Sequence, residues 1–95
     1  MITLVDSGMY LLRMESVQDT AYLHMEYKKD KFSKGSYFML LNEWVEILDK
    51  IKLLGFTFVG SIIPKSEKKI QKFQFLFGLE IESETEEFYI YRMEL

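Results

Sequence analysis

Four groups of residues in this chain have the types and spacing to do chemistry. Lys28, Lys29, Lys31 and Lys34 crowd a short connector that runs into Gly35 and Ser36, where a helical pattern begins. Backbone N–H groups at a helix N-terminus, with positive charge around them, favour a pyrophosphate or another anion. Lys65, Lys68, Lys69 and Lys72 recur at i, i+3, i+4 and i+7 and so share one helix face. That face suits a terminal phosphate, an RNA backbone or an acidic protein, and is equally an ordinary solvated surface. His24 and Glu26 alternate with Leu23, Met25 and Tyr27, the period of a strand with one polar side. The two could pass a proton between them or simply pair across strands. Tyr89 and Tyr91 follow the acidic run Glu80, Glu82, Glu84, Glu86 and Glu87, and tyrosine is a residue of contact surfaces.

What is missing narrows the chemistry. With no cysteine there is no disulfide, thiolate nucleophile or cysteine-bound zinc, and a single histidine gives no His-rich metal site. No Ser, His and Asp stand in a nucleophilic arrangement. A net charge of −3 argues against general nucleic-acid binding. Trp44 and the Phe and Tyr residues follow core periodicity, and the ribonucleoprotein consensus is absent. Met1 to Met14 lacks the basic start and long apolar stretch of a secretory leader, and no apolar run reaches the roughly 18–20 residues of a membrane span. The expectation is a cytoplasmic protein away from membranes.

These residues need elements to hold them, and 95 residues allow one domain, 1–95. Ile2 to Val5, Met9 to Glu15 and Thr20 to Tyr27 read as strands separated by polar breaks, a meander. The period then lengthens: Tyr37, Leu40, Leu41, Trp44, Val45, Leu48, Ile51 and Leu54 recur at helical spacing. Ser36 is placed to cap that helix and Gly55 to end it. Phe56 to Ile63, apolar on both sides, suits a central strand covered on both faces, and Pro64 ends it. Ser66 is the expected cap of a second helix, Glu67 to Phe77, with Ile70, Phe73, Leu76 and Phe77 inward and Gly78 closing it. Leu79 to Ser83 and Phe88 to Glu94 are the last strands. The order β-β-β-α-β-α-β-β describes an α+β fold with two helices packed on a mixed sheet.

This order, with the local phrases, resembles the GNAT N-acetyltransferase family. Phe73-Gln74-Phe75-Leu76-Phe77-Gly78-Leu79 is similar to the family's Phe-Tyr-x-x-x-Gly-Phe helix end. Phe88-Tyr89-Ile90-Tyr91-Arg92-Met93-Glu94-Leu95 is similar to its closing strand. The resemblance runs from Thr20 onward and implies a minimal GNAT-like sheet. The family's coenzyme loop, Arg/Gln-x-x-Gly-x-Gly/Ala, is met only by Gly35, since Phe32 and Tyr37 replace the leading Arg and the second small residue. The family's acidic Tyr falls at Gln74, whose amide yields no proton near neutral pH. The pattern is closer to the coenzyme-motif-poor GNAT-like proteins of bacteriophages.

Two functions follow from that resemblance. The first is a non-catalytic GNAT-like protein of a phage or mobile element, in the virion or host cytoplasm, with no cofactor. It would contact another protein, or a second copy, through Lys65, Lys68, Lys69, Lys72, Tyr89 and Tyr91. The second is a small acetyl-CoA-dependent N-acetyltransferase. Lys34, Gly35 and Ser36 would take the pyrophosphate, the thioester would run near Glu26 and Phe58, and Glu26 would act through water as base. An open cleft between Thr20–Tyr27 and Phe56–Ile63 favours the enzyme; a filled one favours the contact protein.

Overall fold

The computed structural model describes residues 1–6, 8, 10–27 and 34–95, with the backbone alone at 27, 34–37 and 39. Six strands and two helices follow in the expected order: β1 Ile2–Asp6, β2 Tyr10–Val17, β3 Thr20–Tyr27, α1 Lys34–Leu53, β4 Phe58–Pro64, α2 Lys68–Leu76, β5 Glu80–Glu84 and β6 Phe88–Glu94. They form one sheet ordered β1-β2-β3-β4-β6-β5. β1, β2 and β3 make one antiparallel unit; β4, β6 and β5 make another. A parallel seam of three pairs, Thr20↔Phe58, Ala21↔Val59 and Tyr22↔Gly60, joins the two. Its lower end is pinned by the Asp19 carbonyl, which accepts from Thr57 N (3.0 Å) and Phe58 N (3.1 Å).

Paired residues share a face, so the register sorts the sheet into two sides. One carries Tyr10, Leu12 and Met14, then Ala21, Leu23 and Met25, then Val59, Ser61 and Ile63, then Tyr89, Tyr91 and Met93. Both helices cover this side. α1 buries Leu40, Trp44, Ile47 and Ile51 into the same cluster as Leu12, Val59 and Tyr91, and α2 touches it through Phe73 and Gln74. Two right-handed crossovers stepping the same way along a sheet put their helices on one side, as here. The opposite side holds Arg13, Glu15, Tyr22, His24, Glu26, Phe58, Ile62 and Arg92, with no helix over it among the described residues.

Several local expectations change for that reason. β4 is central but covered on one face only: Val59, Gly60 and Ser61 are buried while Ile62 is 47% exposed. In α1 the inward stripe is Leu40, Trp44, Ile47 and Ile51; Leu41, Val45 and Leu54 are exposed. The helix already begins at Lys34, so Ser36 stands within its first turn and cannot be the non-helical cap. Glu67, without a side-chain cap bond, occupies the cap of α2 in place of Ser66. That corner is tied by Glu67 N to the Pro64 carbonyl (3.0 Å) and by Gln71 Nε2 to the Pro64 (3.0 Å) and Lys65 (2.9 Å) carbonyls. Leu76 is 54% exposed, and Gln74 takes the inward place between Phe73 and Phe77. Gly55 (φ +95°) and Gly78 (φ +94°) do end their helices in the left-handed region.

Gly60, last residue of the seam, lies under the Tyr22 ring. A Cβ there would stand 2.8 Å from the Tyr91 carbonyl oxygen and 2.9 Å from Tyr22 Cε1. Gly60→Ala is expected to cost roughly 1–3 kcal/mol by urea unfolding, because backbone sets one side of the clash. Gly8→Ala, with nothing within 4 Å of its Cβ, should stay within about 0.5 kcal/mol.

Candidate functional site

Beyond Tyr22↔Gly60 the β3–β4 ladder stops, although β3 runs on to Tyr27 and β4 to Pro64. Each strand stays paired with its outer neighbour along its length, β3 with β2 and β4 with β6. The two strands therefore part, and their facing edges carry backbone donors and acceptors that this ladder does not use. A cavity of about 360 Å³ lies at the split. Its lining includes Leu12, Leu23 and Met25 from the helix-covered side and His24, Glu26 and Ile62 from the other. Residues whose side chains belong to opposite faces of the sheet thus meet at the opening.

The roof is made by the helices, and its polar groups are internally satisfied. Trp44 Nε1 donates to the Phe77 carbonyl at 3.0 Å, with the two rings 4.9 Å apart, which ties α1 to the end of α2. Ser61 Oγ donates to Gln74 Oε1 at 2.7 Å, and Gln74 Nε2 donates to the Ile70 carbonyl at 3.2 Å. Ser61 and Gln74 were not paired by any sequence pattern; the one signal was a serine interrupting an apolar strand. Gln74 clasps α2 to β4 through Ser61.

The chemistry-bearing residues are placed as follows. Glu26 lines the cavity with its side chain 65% exposed and Arg13 Nη2 3.8 Å away. His24 also lines it, with Nε2 3.1 Å from Glu15 Oε2. Both reach diagonally to β2, so His24 and Glu26 serve as cross-strand partners rather than as a relay. Phe58 lies under the Arg92 guanidinium, 4.1 Å from ring centre to Cζ. Lys34, Gly35 and Ser36 form the start of α1, at the end where β3 and β4 part, since α1 must run back for β4 to begin beside Thr20. Lys28, Lys29 and Lys31 lie outside the described residues.

The proposed contact residues scatter. Lys68, Lys69 and Lys72 are exposed on α2, whereas Lys65 pairs with Glu84 and stands 5.0 Å over the Tyr89 ring. Tyr91 cannot be an interface residue: it is 0% exposed, because it sits opposite Ser61 on the helix-covered face, edge-on to Phe75 and Tyr89. Among the described residues no three His, Asp or Glu side chains are grouped to hold a metal ion. No helix there is long and apolar enough to cross a membrane.

Comparison places this geometry. A GNAT-family acetyltransferase from Streptococcus pneumoniae superposes with a TM-score of 0.66 over 90% of this chain at 11% identity. The chain has a GNAT fold. A GNAT-family acetyltransferase from Listeria monocytogenes 4b F2365 gives 0.57 over 92% at 14% identity. The chain spans 57% and 58% of the lengths of these GNAT proteins. No protein-family model and no curated protein sequence matches it.

Two buried tyrosines set the alkaline limit of this GNAT-fold core. Burial, then the hydrogen bond to Glu43 and its charge, push the Tyr10 hydroxyl far above its ordinary value of 10.0. Burial, and then Tyr89, raise Tyr91 as well. The folded state holds these protons longer than the unfolded chain, so stability is full below about pH 10 and falls above it. Thermal melts from pH 8 to 11 should show that decline, and Tyr10→Phe should weaken it. The Tyr91 hydroxyl is buried without a hydrogen-bond partner among the described residues. Tyr91→Phe at pH 7 should therefore be neutral or stabilising by up to about 1–3 kcal/mol.

Proposed function

We propose that this chain binds an acyl-coenzyme A thioester in the split between β3 and β4 and acts as a small N-acyltransferase. The observation that carries the reading is the open seam: two parallel strands that part after three pairs, with a cavity lined by both of them at the parting. A pantetheine arm is slender and carries two amides, and the freed strand edges offer main-chain donors and acceptors for them. The start of α1 opens at the same end, where backbone N–H groups of Lys34, Gly35 and Ser36 suit a pyrophosphate. The residues present fit the arm, and the fold likeness to two GNAT acetyltransferases supports the same class.

When bound, the coenzyme supplies an acyl group on a thioester, whose thiol leaves with a pKa of roughly 8.5 and needs no strong acid. That suits a site in which Gln74 holds Ser61 and gives no proton. Glu26, at the mouth on the open side, takes the proton of an approaching ammonium through water. The amine nitrogen would then bond to the acyl carbon as the carbon–sulfur bond breaks, and the second proton that the nitrogen sheds would pass to the departing thiolate, giving the amide and the free thiol. The contact-protein reading, with its phage setting, gains nothing from the seam or from the buried Tyr91.

Titration calorimetry with acetyl-CoA should give a dissociation constant in the micromolar range. At 100 times that constant the fold gains about 2.7 kcal/mol, a rise in Tm of roughly 10–20 °C. Leu23→Trp, which plugs the split, should remove both signals. No binding at millimolar coenzyme would reject the reading.

A further inference from the structure

We propose that the outer side of α2 and the adjoining β5 hairpin join two copies of this chain in a symmetric dimer. Lys68, Lys69, Lys72, Phe75 and Leu76 are all exposed, and at about 100° per residue they share an arc of roughly 120° on the helix. Phe75 packs edge-on against Tyr91, 5.6 Å between ring centres, and Ile81 of β5 is the register partner of that tyrosine. Both therefore adjoin Tyr91 on the helix-covered face. Phe75 and Leu76 remain 54% exposed and Ile81 44%, an apolar patch at the end of α2 and the start of β5. At the other end the Lys65 amide donates to the Glu87 carbonyl at 2.8 Å, which sets the turn after β5 beside the start of α2.

That end of the surface holds both signs of charge. Lys68, Lys69 and Lys72 make no ion pair among the described residues, and neither do Glu86 and Glu87; Lys65 and Arg92 are matched within the chain by Glu84 and Glu82. A surface with cations on one side and anions on the other is complementary to itself. A two-fold axis parallel to α2, between it and β5, lays Phe75 on the partner's Ile81 and the lysines of each copy over the partner's Glu86 and Glu87. A phosphate-rich surface would meet the same lysines with glutamates beside them, so the charges favour a second copy. The helix also gains from such cover. It has nine residues, none of them buried, and a helix this short depends on packing. The patch is small beside the roughly 800 Å² per partner of a standard interface, so the dimer is a weak one, with a dissociation constant on the order of 10 μM.

The test is sedimentation velocity of the purified chain from about 1 to about 500 μM, on either side of that constant. The unaltered chain should pass from monomer to dimer, and half-molar salt should weaken the dimer roughly tenfold. Two charge-reversed variants, Lys68→Glu with Lys72→Glu and Glu86→Lys with Glu87→Lys, change exposed side chains only. Each alone should stay monomeric, because both of its contacts become like-charged. Mixing the two should restore a dimer, since every reversed side then meets its opposite. A chain monomeric throughout would overturn the proposal, as would a dimer that the reversals leave unchanged. Assemblies that grow beyond two copies would also overturn it, by showing an open array in place of a closed pair. So would a monomer that co-sediments with phosphatidylserine vesicles, which would give the lysines of α2 to a lipid surface.

Discussion

The seam between β3 and β4 is the constraint from which the rest of this molecule follows. Two antiparallel units of three strands, each satisfied by its own hydrogen bonds, meet through only three parallel pairs. The Asp19 carbonyl pins the lower end by accepting from two successive amides of the incoming chain. Gly60 lets the strands approach there, and nothing larger than hydrogen fits between the Tyr91 carbonyl and the Tyr22 ring. Above that point each strand follows its outer partner, and because sheets twist, the two edges diverge. The cavity is therefore a result of strand pairing, not a defect of packing.

The helices turn that gap into a chamber. Both crossovers step in the same direction along the sheet, which by the right-handed rule for such connections puts α1 and α2 on one face and leaves the other face without a helix among the described residues. They are held near each other by the Trp44–Phe77 contact, and Ser61 and Gln74 clasp α2 to β4. Each of these bonds consumes a polar group that would otherwise face the cavity. The uncovered face has the opposite character, with Arg13 and Glu26, His24 and Glu15, and Arg92 and Glu82 as ion pairs in contact with water. Exposed pairs of this kind add little to stability, about 0–1 kcal/mol each. Their part is to keep a flat sheet face soluble and to set the charge at the mouth of the split.

The edges of the sheet are treated differently. β5 carries Glu80, Glu82 and Glu84 and is exposed along its whole length, which discourages strand addition from another chain. Lys65 reaches it from just beyond β4 through Glu84, and Arg92 reaches Glu82 from β6, so part of the hairpin's negative charge is paired within the molecule. β1 is held to β2 through a bulge between Thr3 and Val5, which breaks the regular edge.

Much of the architecture was legible in the residues alone. Alternation of period two gave way to 3.6 near Tyr37, glycines stood at Gly55 and Gly78 where left-handed residues end helices, and the eight elements appeared in order. The phrases around Gln74 and Arg92 carried the fold likeness. These are local signals, set by backbone sterics and the period of burial, and each can be read within a dozen residues. The decisive features were not local. That β3 and β4 pair for three residues and then part depends on partners far along the chain, β2 for one and β6 for the other. That Tyr91 is buried, Ile62 exposed and Leu76 turned outward depends on both helices choosing the same face. The bond between Ser61 and Gln74 joins a strand to a helix thirteen positions on. Which elements form is written in the local pattern of residues; which edges and faces remain open is set by the assembled fold, because hydrogen-bond pairing and burial are settled between elements rather than within them.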